Sequence, residues 1–111
     1  MLTFAAGVRI VDFTEQLALV LRLAANWSNI ARVGVDVNSI DDKQHGATTL
    51  HGWSLAIDLD TVGDKMADLE RLHGYLVRHL PAPYQVLLER DHVHVEWDVQ
   101  RKKAPLAAMA G

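Results

Sequence analysis

HGATTLHGWSLAIDL, residues 45–59, is the stretch on which the reading of this chain turns. Its second half alternates: Trp53, Leu55, Ile57 and Leu59 are apolar, while Ser54, Ala56 and Asp58 are small or polar. Successive strand residues point to opposite faces of a sheet, so this period of two predicts a strand over 53–59 with one apolar face. Asp58 then lies opposite Ile57, toward a site rather than toward the core. The first half holds His45 and His51, and His51 stands seven residues before Asp58. One regular helical turn does not place a histidine and a carboxylate together at that spacing, whereas a loop that ends in His51 and runs into the strand can.

On the N-terminal side, residues 8–13 read as a short edge strand or an entry segment. Thr14 is placed as an N-cap, with Glu15 in the first turn, where a carboxylate complements the helix dipole. Leu17, Val20, Leu21 and Ala24 recur at helical spacing, extended by Leu19, Leu23 and Trp27, which predicts a largely buried helix ending near Asn26–Asn29. Ile30–Val37 reads as a strand despite Gly34, and the polar run Asn38–Thr48, with Asp41-Asp42 and Gly46, reads as a loop.

On the C-terminal side, Thr61 or Asp64 caps a second helix running to about Leu80. Met66, Leu69, Leu72, Leu76 and Val77 form its stripe, and Pro81 and Pro83 end it. Tyr84–Leu88 and His92–Trp97 predict two closely spaced strands, and residues from about 100 onward, with Arg101-Lys102-Lys103 and an Ala/Gly-rich end, read as a tail. The expected fold is α+β: one domain over residues 1–111, with two helices on one face of a small, mainly antiparallel sheet.

Composition sets the bounds. A chain of 111 residues, half of them hydrophobic and with no internal repeat, suits a single folded core. A net charge of −3 gives no reason to expect a nucleic-acid partner. The absence of cysteine excludes disulfides and thiolate metal ligands. MLTFAAGVRIVDF has no basic lead and acquires Asp12, so it makes a poor signal peptide, and no apolar run approaches the roughly 20 residues that span a bilayer. A soluble protein is expected.

The chemistry lies in two clusters. His51 and Asp58 form one; Glu89-Arg90-Asp91-His92-Val93-His94 forms the other. His92 and His94 alternate onto the same strand face, so both reach toward the same point. Two histidines and one carboxylate leave a tetrahedral zinc with an open position for water, whose pKa such a metal lowers from about 15.7 to about 7. A nearby carboxylate can then move its proton to the leaving amine. His73 and His79, on or near the second helix, show no partner pattern and read as ordinary polar residues. Asp41-Asp42 reads as a solvated turn rather than a calcium site.

Thr48-Thr49-Leu50-His51-Gly52-Trp53-Ser54-Leu55-Ala56-Ile57-Asp58-Leu59 resembles the S-L-H-x-x-G-x-A-x-D-[LI] pattern of the zinc DD-peptidases and the Hedgehog signalling domain. That superfamily includes D-alanyl-D-alanine carboxypeptidases, vancomycin-resistance dipeptidases and phage endolysin peptidases. The resemblance implies that His51 and Asp58 are zinc ligands, and His45 matches a further upstream histidine. The family's second motif ends in a zinc histidine on a strand, after an acidic residue; Glu89–Glu96 fits it, and the order of elements resembles the small, phage-type members. In those members the zinc histidine is followed by an apolar and then a polar residue, which favours His94, followed by Val95-Glu96, over His92. The acid three residues earlier is Asp91 for His94 or Glu89 for His92. Asp91 is preferred as the base, although a regular strand would turn it away from His94, so a bend or bulge is required there. His92 is then placed to hydrogen-bond an oxyanion or a substrate carboxylate. Two departures from the pattern stand out. Ser54 replaces the motif glycine and is still small; Leu55 stands where close relatives often have arginine, which puts substrate recognition in question. Trp53 and Trp97 line a cleft or pack in the core.

What the resemblance implies is a zinc-dependent peptidase, binding Zn2+ through His51, Asp58 and His94 and cutting peptidoglycan stem peptides at a bond involving a D-amino acid. Its expected setting is a bacteriophage or prophage lysin, cytoplasmic until released or associated with the virion, with a possible partner protein for delivery. The competing expectation is a non-catalytic, zinc-stabilised structural or binding module of a virion or a regulatory system, in which metal binding supplies folding energy.

Overall fold

A computed structural model describes residues 1–10, 14–44 and 53–98. The elements run β1 (Leu2–Phe4), α1 (Glu15–Ala31), β2 (Val35–Gln44), β3 (Trp53–Thr61), α2 (Met66–His79), β4 (Tyr84–Leu88) and β5 (Val93–Asp98). The strands form one sheet in the order β1-β2-β3-β5-β4. The fold is α+β as expected, but the sheet is mixed rather than mainly antiparallel, because β1 pairs parallel with β2. Parallel neighbours need a crossover, and α1 supplies it. Of the two readings of residues 8–13, an edge strand or an entry segment, Val8–Ile10 fit the second, being irregular; residues 11–13 lie outside the described residues, and the pairing segment lies earlier, at Leu2–Phe4.

Helix α1 begins as anticipated. Thr14 is extended, and its side chain accepts a hydrogen bond from the Leu17 amide at 3.2 Å. Leu17, Val20, Leu21, Leu23, Ala24 and Trp27 are buried along its length. No breaker follows Asn29, so the helix continues to Ala31 and closes on Arg32 in the left-handed conformation (φ 59°). β2 then begins only at Val35. Gly34 precedes it in close approach to the end of β3: its carbonyl accepts from Val62 N–H at 2.8 Å, and a Cβ there would meet Val62 Cγ2 at 2.7 Å.

The polar run after Val37 is not a loop through its whole length, since β2 extends to Gln44 and pairs antiparallel with β3. Asp41 and Asp42 therefore sit in a strand rather than a turn. A bulge interrupts the register between Val37 and Ser39: Val37 pairs with Leu59 and Ser39 with Asp58, leaving Asn38 as the extra residue.

Neither Thr61 nor Asp64 caps α2. Thr61 ends β3 facing the core, Asp64 takes φ 52° in the following turn, and Lys65 occupies the N-cap without a side-chain bond. Leu69, Leu72 and Leu76 are fully buried, but Met66 and Val77, expected in the same stripe, remain exposed. The helix ends at His79, before Pro81. Its two histidines have local roles: His73 Nε2 lies 3.2 Å from the Val86 carbonyl oxygen, and the His79 ring contacts Tyr75. Tyr84 donates to the Gln16 carbonyl at 2.7 Å, tying β4 to the start of α1.

The core lies between the helices and one sheet face. Val35, Val37, Leu55, Ile57, Leu59, Val93 and Val95 supply the sheet side. Burying such side chains stabilises by roughly 1.5–3 kcal/mol each. The other face, not covered by either helix, carries the alternate residues. None of the described helices is long and apolar enough to cross a membrane.

Candidate metal centre

Strand parity builds the site. Ile57 and Leu59 are fully buried on the core face, so Asp58 between them must stand on the open face. His94, between buried Val93 and Val95, is constrained in the same way, and the β3–β5 register sets it directly opposite Asp58. A cross-strand pair is in side-chain contact by construction. His94 Nδ1 lies 2.6 Å from Asp58 Oδ1, and its Nε2 lies 2.8 Å from Oε1 of Glu96, two residues along the same strand face.

His92 precedes β5 by one residue. The Glu89 amide donates to the His92 carbonyl at 2.9 Å, closing the turn from β4 and bringing the His92 ring over the open face. Its Nε2 is 3.6 Å from Asp58 Oδ1, while Nδ1 is 2.7 Å from Asp91 Oδ1. Ser39 approaches from the opposite strand, its hydroxyl donating to Asp58 Oδ2 at 3.0 Å, and Asn38 Nδ2 donates to Asp60 Oδ2 at 2.9 Å.

Electrostatics follow from these contacts. Burial pulls the His94 pKa down, but the hydrogen bonds and charges of Asp58 and Glu96 together outweigh it, and the pKa is raised. The hydrogen bond from His92 holds the exposed Asp91 carboxyl below the usual range. Burial raises Asp60; the Asn38 bond opposes this, and Asp64, Asp36 and Asp91 reinforce it.

Asp58, His92 and His94 each offer one ligand atom, all within 4.8 Å of one another. The donor set suits a borderline metal such as zinc. Zinc ligands at about 2.0–2.1 Å stand roughly 3.3 Å apart around a tetrahedron. The 3.6 Å between Asp58 Oδ1 and His92 Nε2 is near that separation. The 2.6 Å between Asp58 Oδ1 and His94 Nδ1 is a hydrogen-bond length, so replacing the shared proton by a metal needs only a small widening. The three side chains are partly exposed, which leaves the site reachable from solvent.

Of the residues singled out from sequence, Asp58, His92 and His94 converge. His92 lies among the potential ligand atoms rather than apart from them. Asp91 sits in the turn before β5, so strand parity does not bind it; its carboxylate reaches His92. Glu89 is exposed, and its amide closes the same turn. His51 and His45 lie outside the described residues. Leu55 is buried in the core, so it does not present its side chain to the open face, and Trp97 packs against the core. Two site residues escaped sequence reasoning. Glu96 carried a signal, since residues 92, 94 and 96 share strand parity. Ser39 carried none, because its placement depends on a bulge inside an unpatterned polar run.

A cavity of about 360 Å³ opens beside Ser39, lined by Gly7, Val8, Arg9, Asn38 and Ile40 among others. Comparison of the chain with protein-family models, curated proteins and solved structures finds no match.

Proposed function

We propose that the chain is a zinc-dependent peptidase that hydrolyses peptidoglycan stem peptides at a bond involving a D-amino acid, in the setting of a phage or prophage lysin. The observation that carries the metal half of this reading is the meeting of Asp58, His92 and His94 on the sheet face that neither helix covers. The motif likeness around His51–Asp58 and Glu89–Glu96 supports the substrate half.

In this reading Asp58, His92 and His94 hold the metal, with His51 as a further candidate ligand. The chemistry such a metal would supply is Lewis-acid polarisation of a carbonyl and activation of water at neutral pH. The chain's own residues do the rest. The β3–β5 pairing presents the carboxylate and imidazole side by side on a rigid scaffold. A carboxylate of the turn, Asp91 or Glu89, would take the proton of the attacking water and pass it to the leaving amine.

The test measures bound metal in protein purified without added zinc, for the wild type and Asp58→Ala, together with the release of new amino groups from purified peptidoglycan. One zinc per chain, lost in the variant, with amino groups released only by the wild type, is the expected result. Zinc uptake without hydrolysis would leave a structural metal module. No uptake on titration would overturn the metal reading altogether.

A further inference from the structure

A metal held by Asp58, His92 and His94 uses one polar atom of each side chain and leaves a second atom turned away. Such second atoms decide how a ligand is oriented: a ligating histidine usually donates its other N–H to a carboxylate, carbonyl or water, which fixes the tautomer and the ring plane. For His92 that partner is Asp91, already described. The partners of the other two ligands come from β2 and β5.

We infer that Ser39 and Glu96 are positioning residues for the metal ligands Asp58 and His94. Ser39 holds the outer oxygen of Asp58, and Glu96 holds the outer nitrogen of His94. The inference rests on the metal reading above and concerns how the ligand atoms of that site are aimed.

The geometry for Glu96 is direct. Its Oε1 is 2.8 Å from His94 Nε2, while Nδ1 faces Asp58 Oδ1. The two nitrogens lie on different sides of the ring, so the oxygen engaged with Nε2 is directed away from the metal position. A neutral His94 has one N–H. With Glu96 accepting from Nε2, the proton settles there and Nδ1 becomes a free donor atom for a metal. Without Glu96, the neutral tautomer with its proton on Nδ1, donated to Asp58, keeps both ligand atoms occupied.

Ser39 reaches its position only through the bulge. Val37 is on the core face, so in a regular strand Asn38 would face outward and Ser39 inward. The extra residue turns Ser39 outward as well, directly opposite Asp58, and Ile40 returns to pack against the core. One inserted residue thus gives two adjacent open-face side chains, one bonded to Asp60 and the other to Asp58. With Oδ2 committed to the serine hydroxyl, Oδ1 is left pointing between the two histidines.

The experiment titrates metal-free protein with Zn2+ against a chelating indicator and follows Co2+ substitution by its visible spectrum. Ser39→Ala and Glu96→Ala should each weaken zinc roughly 10- to 100-fold. Ser39→Thr and Glu96→Gln, which keep an acceptor or donor in place, should recover most of that loss, with the circular dichroism of the metal-free proteins unchanged. Alanine variants that bind as tightly as wild type, with the same cobalt spectrum, would overturn the assignment. A second readout needs no variant: nitrogen NMR of the zinc-loaded wild type should show His94 protonated on Nε2, and a metal found on Nε2 would overturn the Glu96 role. A wild type that takes up neither metal fails differently, because then the metal reading itself falls.

Discussion

The two faces of the sheet are built from the same strands and have opposite physical characters. On β3, Leu55, Ile57 and Leu59 are buried almost completely, while Asp58 and Asp60, interleaved with them, remain partly open. On β5, Val93 and Val95 alternate in the same way with His94 and Glu96. Stability and chemistry are thereby separated at one-residue resolution. The inner face contributes free energy by removing hydrocarbon from water, and the outer face contributes little beyond hydrogen bonds among half-solvated groups. A strand pair anchored by its inner residues holds its outer residues in fixed register, which is what a metal site needs from a scaffold.

This separation is broken most severely at Ile57. Ile57→Ala deletes three carbons from a fully buried position between the two helices and the sheet. A loss of about 2–5 kcal/mol is expected, read as a lower midpoint in urea unfolding of the metal-free protein. Asp58→Ala, the very next residue, should cost only about 1 kcal/mol, the net worth of its hydrogen bonds, and so move that midpoint far less. Similar midpoints for the two variants would show that the faces are not energetically distinct.

How much of this was legible beforehand follows the same division. The alternation at 53–59 placed Asp58 on the outer face, and the Thr14 cap, β4 and most of β5 were visible because local patterns determine them. β1 was not visible, since three residues, Leu2–Phe4, carry no period and acquire strand character only by pairing with β2. The second half of β2 was hidden for a related reason. NSIDDKQ holds a single apolar residue, Ile40, and no alternation, so what makes it a strand is its partner β3, and that contact lies outside any local window. Ser39 disappeared with it. His92 was legible as a neighbour of His94, but its distance from Asp58 depends on the Glu89–His92 turn, and turn geometry at that resolution is not written in spacing.

A smaller effect is expected at Thr61, an inner-face residue with an outer-face kind of side chain. It is 1% exposed, and its hydroxyl finds no partner among the described residues. A buried polar group without a hydrogen bond costs about 1–3 kcal/mol, and an apolar group of the same shape removes that cost. Thr61→Val should therefore stabilise by about 1 kcal/mol, seen as a melting temperature several degrees higher. A fall instead would mean that the hydroxyl is satisfied, for instance by an internal water, and that the inner face tolerates polarity better than the contrast implies.

The smallest expected effect belongs to Asp60, on the outer face. Its carboxyl is raised above the ordinary range, first by partial burial and then by the charges of Asp64, Asp36 and Asp91, against the Asn38 bond. A folded-state pKa above the unfolded one means that the native protein binds this proton more readily than the unfolded chain does. Ionisation therefore works against folding: the cost is absent below the unfolded value, grows as pH rises through the folded value, and is constant from there to neutrality. Because the group is partly exposed and screened, the cost amounts to only a few tenths of a kcal/mol. Asp60→Asn should accordingly stabilise the metal-free protein slightly at about pH 7 and not at all near pH 3, with the gain shrinking in high salt. Urea titrations at both pH values, with and without added salt, check it. A variant less stable at neutral pH would mean that the Asn38 bond outweighs the repulsion, and that the open face is held together by its polar contacts rather than merely tolerated by the core beneath it.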